Sequence, residues 1–195
     1  MTESSSLLVE LVTESYRILG RLPLPLGQRR LVDLLNSDDP SLAICDARVM
    51  SLQGPGEEGW LHQVLHVHRA AILFAIPLER AATPSGEAPE PERIEPERIE
   101  PERIEKDVHP LVIYLPPFVL RGLTYLAKGA NTIPDPFARR SPFFPLTQVE
   151  VLYQSSEQGA CYKDVVVVNG RRVQAYSPPM ALAGSEAARL ADSCN

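Results

Sequence analysis

This chain of 195 residues has little of what usually announces an activity. Its three cysteines, Cys45, Cys161 and Cys194, lie far apart with no C-x-x-C spacing, so neither a zinc-ligand set nor a disulfide framework is indicated. An odd number of scattered cysteines reads as free thiols in a reducing compartment. Cys45, between Ile44 and Asp46, reads as a small buried hydrophobe rather than a nucleophile. No Gly-x-Ser-x-Gly elbow and no glycine-rich phosphate loop occurs. No apolar run approaches the ~20 residues that a membrane helix needs. Met1-Thr2-Glu3-Ser4 places no basic region before the first apolar residues, which argues against a signal peptide. The expectation is a cytoplasmic protein with no membrane partner and no cofactor.

An excess of positive charge is also missing. The net charge is −6, and residues 83–107 carry nine acidic and four basic side chains of that total, leaving the remainder close to neutral. General nucleic-acid affinity, which rests on neutralising many phosphates, gains no support from this balance.

Proline, by contrast, is plentiful: the chain has 19, most of them in one tract or at the ends of apolar runs, so long helices are not expected. The tract contains Pro91-Glu92-Arg93-Ile94-Glu95 followed by two further copies. Proline every fifth residue excludes continuous helix, and one isoleucine per copy buries nothing, so residues 83–107 read as an extended acidic spacer. On either side the chain repeats a pattern. Residues 21–35 align with 113–127, residues 42–50 with 144–152, and residues 66–77 with 167–178. Such internal similarity decides architecture before anything else.

The expected organisation is a first βαββ unit over 1–82, the spacer over 83–107, a second βαββ unit over 108–180 and a flexible tail over 181–195. In the first unit a strand is expected over 9–24, a short helix over 28–36 stopped by Asn36, a strand over 42–52, and then either two strands over 60–67 and 70–76 or one long bent strand. In the second, a strand is expected over 108–115, a helix over 120–128 capped by Gly129, a strand over 144–153, and a hairpin about Asn169-Gly170. The fold class is therefore mainly β (α+β): a pseudo-symmetric antiparallel barrel or sandwich with short helices. The halves are expected to share one interior and to cover each other's open edges.

These blocks resemble a family of small bacterial β-domains of unknown function. The resemblance rests on Tyr16-Arg17-Ile18-Leu19-Gly20, Arg30-Leu31-Val32-Asp33-Leu34-Leu35-Asn36 and Leu42-Ala43-Ile44-Cys45-Asp46-Ala47-Arg48-Val49 in the first unit. In the second it rests on Phe144-Pro145-Leu146-Thr147-Gln148-Val149-Glu150-Val151 and Val168-Asn169-Gly170-Arg171-Arg172-Val173. It implies two tandem copies of that fold, and no mechanism.

Three residue groups point to chemistry. His62, His66 and His68 would share one face of a strand, a grouping that suits zinc or nickel, although no carboxylate or cysteine stands at ligand spacing and the second unit has Val167 and Asn169 in place of His66 and His68. The doublets Arg29-Arg30, Arg139-Arg140 and Arg171-Arg172 are candidates for binding an anion, a nucleotide or a nucleic acid. The proline-rich insertion 131–141, with Ile133, Phe137 and the following Phe143, is the candidate surface for a protein partner. The reading favoured by this balance is a non-enzymatic binding or assembly module with a protein partner or self-association. A nucleic-acid or nucleotide-binding small barrel and a histidine-cluster metal protein are the alternatives.

Overall fold

The computed structural model describes residues 6–25, 30–53, 59–80, 106–127, 141–154 and 160–177. The spacer up to residue 105, insertion residues 131–140, Gly129 and the tail 181–195 lie outside the described residues.

The described chain is mainly β. Ten strands form one antiparallel sheet, accompanied by a single described α-helix and two 3₁₀ turns. β1 (Ser6–Val12), β2 (Tyr16–Pro23), β3 (Ser41–Ser51) and β4 (Gly59–His68) form a meander, and β5 (Phe74–Arg80) returns to pair with β1. β6 (Lys106–Leu115), β7 (Phe118–Ala127), β8 (Phe143–Tyr153) and β9 (Cys161–Asn169) form a second meander, and β10 (Ala175–Ser177) returns to pair with β6. The order across the sheet is β10-β6-β7-β8-β9-β5-β1-β2-β3-β4. Each half thus reads the same way, and β5 joins them by pairing with β9.

Several sequence expectations are corrected here. The stretch 9–24 is two strands, because the Thr13 hydroxyl accepts the Ser15 and Tyr16 amides and turns the chain without glycine or proline. Residues 120–127 are strand β7, not helix: Leu120 and Leu123 mimic helical spacing, but the segment is paired on both sides, with β6 and β8. Asn169-Gly170 opens a 3₁₀ turn (Gly170–Arg172) rather than a hairpin, and β9 and β10 end on different neighbours. The first-half equivalent, the 3₁₀ turn Arg69–Ala71, carries β4 over to β5. The helix expected over 28–36 is α1 (Leu31–Leu35), held by burying Leu31, Leu34 and Leu35 because five residues cannot form a stable helix alone.

A shared irregularity sets the true register between halves. Asp46 on β3 and Gln148 on β8 both adopt positive φ, at 49° and 52°. Each inserts an extra residue opposite a glycine, Gly20 on β2 or Gly122 on β7, where the ladder shifts register. The buried set on β3 accordingly switches from Leu42 and Ile44 to Ala47, and on β8 from Phe144 and Leu146 to Val149. The numbering interval from Asp46 to Gln148 equals that from Gly20 to Gly122. The alignment of 21–35 with 113–127 is therefore displaced by one strand, whereas the other two aligned blocks match the structure.

The interior is two cores rather than the single one expected. The first gathers Val9, Leu11, Ile18, Ile44 and Leu35 with Phe143 and Val167 from the second half. The second gathers Ile113, Leu120, Leu146 and Val166 with Val12, Leu73, Phe74 and Ile76 from the first half. Alternate residues at the join enter opposite cores: Phe74 and Val168 face the second, Ala75 and Val167 the first. That is why residues 72–76 and 165–168 are unbroken apolar runs, since a strand buried on both faces has no polar side.

Candidate functional site

The join shows what a satisfied strand edge looks like in this protein. Besides the ladder, the Asn169 amide N–H donates to Leu73 O at 2.9 Å and its side-chain Nδ2 donates to Ile72 O at 2.9 Å, while Oδ1 accepts the Arg171 amide at 3.1 Å. Asn36, the residue that stops α1, exchanges two hydrogen bonds of 2.9 Å with the Phe143 backbone. Phe74 stands edge-on to Phe118 with ring centroids 5.0 Å apart. Arg172 forms an ion pair with Glu14.

At one end of the sheet stands β4, of ten residues, with sequence GWLHQVLHVH. Val67, backed by the half-buried Leu65, packs into the first core, and β3 pairs along nearly its whole length. Among the described residues no strand pairs with its outer side. Sheet edges are normally guarded by charge, proline, bulges or shortness. β4 has no charged residue and no proline, and it exposes Trp60 (60%), Leu61 (78%) and Val64 (52%). The other strands near an edge are guarded: β10 is three residues long, and β9 carries Lys163 and Asp164 in the half beyond its ladder with β5. The strand expected over 60–67 is β4, but its place at the end of the sheet is set by the topology, and its one local sign is ten consecutive residues without a charge.

His62, His66 and His68 all lie on this strand and are exposed, paired respectively with Ala47, Ala43 and Ser41. Among the described residues no group of three His, Cys, Asp or Glu is placed to hold a metal ion. Of the arginine doublets, Arg29, Arg139 and Arg140 lie outside the described residues. Arg30 is exposed ahead of α1, Arg171 is exposed on the second 3₁₀ turn, and Arg172 beside it is half-buried and engaged by Glu14. Ile133 and Phe137 lie outside the described residues. Phe143 corrects the expectation of a contact surface: it is buried at 3% in the first core, with its backbone held by Asn36. Cys45 is half-buried on β3 and Cys161 exposed on β9.

Two groups near the edges depart from ordinary titration. Burial lowers the Arg69 guanidinium, opposed by the charges of Asp39 and Asp38, and the side chain spans the turn after α1 by donating to the Ser37 carbonyl and hydroxyl. Tyr162 is raised because its hydroxyl donates to Glu150 at 3.2 Å and sits beside that carboxylate. Arg69 thereby ties the loop after α1 to the first 3₁₀ turn, and Tyr162 ties β9 to β8. No helix among the described residues is long and apolar enough to cross a membrane. Comparison with family models, curated proteins and solved structures finds no match for this chain.

Proposed function

We propose that the chain is a non-enzymatic assembly module that accepts an extended strand of a protein partner along β4. Each half is read as a five-stranded unit curled round its own core as a partly open barrel, the positive-φ bulges at Asp46 and Gln148 supplying the bend. Curling leaves each unit with two edges, and joining two units uses one edge of each. The observation that carries the reading is the uncharged, proline-free β4 with Trp60, Leu61 and Val64 exposed. Strand addition satisfies the edge's backbone groups while alternate side chains supply selectivity. The imidazoles of His62, His66 and His68 then serve as polar contacts with the added strand.

The test places a photo-crosslinker in the full-length chain in its own cells, as Val64→p-benzoylphenylalanine, with the exposed Tyr125 on β7 as the control position. The expected result is an adduct mapping to one defined protein segment, lost when His66→Glu puts a charge on the strand. No adduct at position 64 beyond that at position 125, or an adduct with nucleic acid instead, overturns the reading.

A further inference from the structure

We propose that the strand added to β4 is β4 of a second copy of this chain, lying antiparallel about a two-fold axis at Val64. This rests on the strand-accepting reading of β4 and names its partner. The hydrogen-bonding direction of each β4 residue follows from the end of the strand. The Arg69 amide donates to Pro40 O at 3.0 Å, on the β3 side, and the ladder between β3 and β4 runs without a register shift. Backbone groups alternate in direction along a strand, so Val67 and Leu65 are bonded toward β3 while His68, His66, Val64, His62 and Trp60 turn theirs to the outer side. The second half has the same arrangement with the outer side filled. There the Gly170 amide donates to Pro142 O at 2.7 Å, and Asn169, which corresponds to His68, donates outward to Leu73 O at 2.9 Å.

Those outward residues read nearly the same from either end of the strand. With Val64 opposite Val64 of the second copy, His62 meets His66 and Trp60 meets His68, so every outward residue gains an outward partner. A register centred one residue earlier leaves His68 without one, and a register centred one residue later leaves Trp60 without one. Between these pairs Leu61, 78% exposed, falls opposite Val67 of the second copy, a residue packed into the first core, and Gln63 falls opposite the half-buried Leu65. The strand has no Asp, Glu, Lys or Arg, so no cross-strand pair sets fixed like charges against each other. Each copy contributes the same surface, and such a contact closes at two copies instead of running on. One pair of strands makes a small interface, and association is therefore reversible and concentration-dependent.

The experiment is sedimentation velocity and native mass spectrometry on the full chain and two variants at the exposed axis residue, Val64→Glu and Val64→Lys. Wild-type chain is expected to pass from one copy to two as its concentration rises, and no further. Each variant alone sets like charges directly against each other at the axis, which raises the dissociation constant at least tenfold. Mixed, the two variants set opposite charges there and form a one-to-one dimer, which the mass difference between the chains identifies. Should either variant alter the circular dichroism spectrum, the pair is replaced by His62→Glu with His66→Glu in one chain and His62→Lys with His66→Lys in the other. A wild-type chain that stays single at every concentration overturns the inference, as do undiminished dimers of either variant, a mixture that pairs no better than its components, or species larger than two. If the chain stays single while the Val64 adduct to a different protein persists, the identity of the partner is wrong and strand addition stands; absence of both removes both.

Discussion

At the residue scale, a few side chains hold the halves together and each makes a prediction. Asn169 is buried and bonds three backbone groups, and Asn169→Ala leaves the Ile72 carbonyl and the Arg171 amide without those partners. The cost expected for unsatisfied buried groups is about 1–3 kcal/mol, read as a lower urea midpoint. Gly20 and Gly122 face equivalent bulges but differ in room. A Cβ at Gly20 would sit 2.4 Å from Ile44 Cγ2 and 2.9 Å from Cys45 O, whereas at Gly122 the nearest atoms are at 3.1 Å. Gly20→Ala should therefore destabilise by about 1–3 kcal/mol and Gly122→Ala by visibly less, a ranking that thermal denaturation checks. Tyr162 is held protonated above the ordinary tyrosine value of about 10 by its bond to Glu150. A folded value above the unfolded one means that this bond's stabilisation is present below the unfolded value and lost as pH rises through the folded one. Tyrosinate absorbance should show Glu150→Gln bringing the titration of Tyr162 down.

At the element scale, β5 has the most consequences because it is paired with β1 on one side and β9 on the other while its residues enter both cores. Phe74→Ala removes the ring that meets Phe118 and should cost about 3–5 kcal/mol, measured by denaturant titration. β3, β5 and β8 were legible in the sequence because alternation or an unbroken apolar run marks them. The hairpin of β1 and β2 was hidden by its turn, which Thr13 builds from a side chain rather than from glycine. Strand β7 was hidden by leucines at helical spacing, whose neighbours on β6 and β8 decided otherwise. The turn at Asn169-Gly170 misled because local preference for a hairpin loses to bonds that Asn169 makes with residues nearly a hundred positions away. Asn36 was read as a helix stop, which it is, but its bonds to Phe143 depend on the tertiary fold and leave no trace in local sequence.

At the scale of the whole molecule, two five-stranded halves exchange core residues: Phe143 and Val167 complete the first core, and Val12, Leu73, Phe74 and Ile76 complete the second. Separate halves would each expose what the other covers, so the chain should unfold in one cooperative step. Calorimetric and van't Hoff enthalpies should agree, and residues 1–82 expressed alone should show lower stability than the full chain. At this scale β4, with no charged residue and with His62, His66 and His68 exposed, stands at one end of the described sheet.

The most direct measurement is residue-resolved amide hydrogen exchange in the dilute, purified chain and after addition of the protein segment that crosslinks at position 64, comparing His66 and His68 with Val167 and Asn169. The account predicts that Val167 and Asn169 are protected in both, because β5 covers them within the chain, and that His66 and His68 become protected only when the partner's strand is added. His66 and His68 exchanging equally in both, or Val167 and Asn169 exchanging as freely as an open edge, would contradict it.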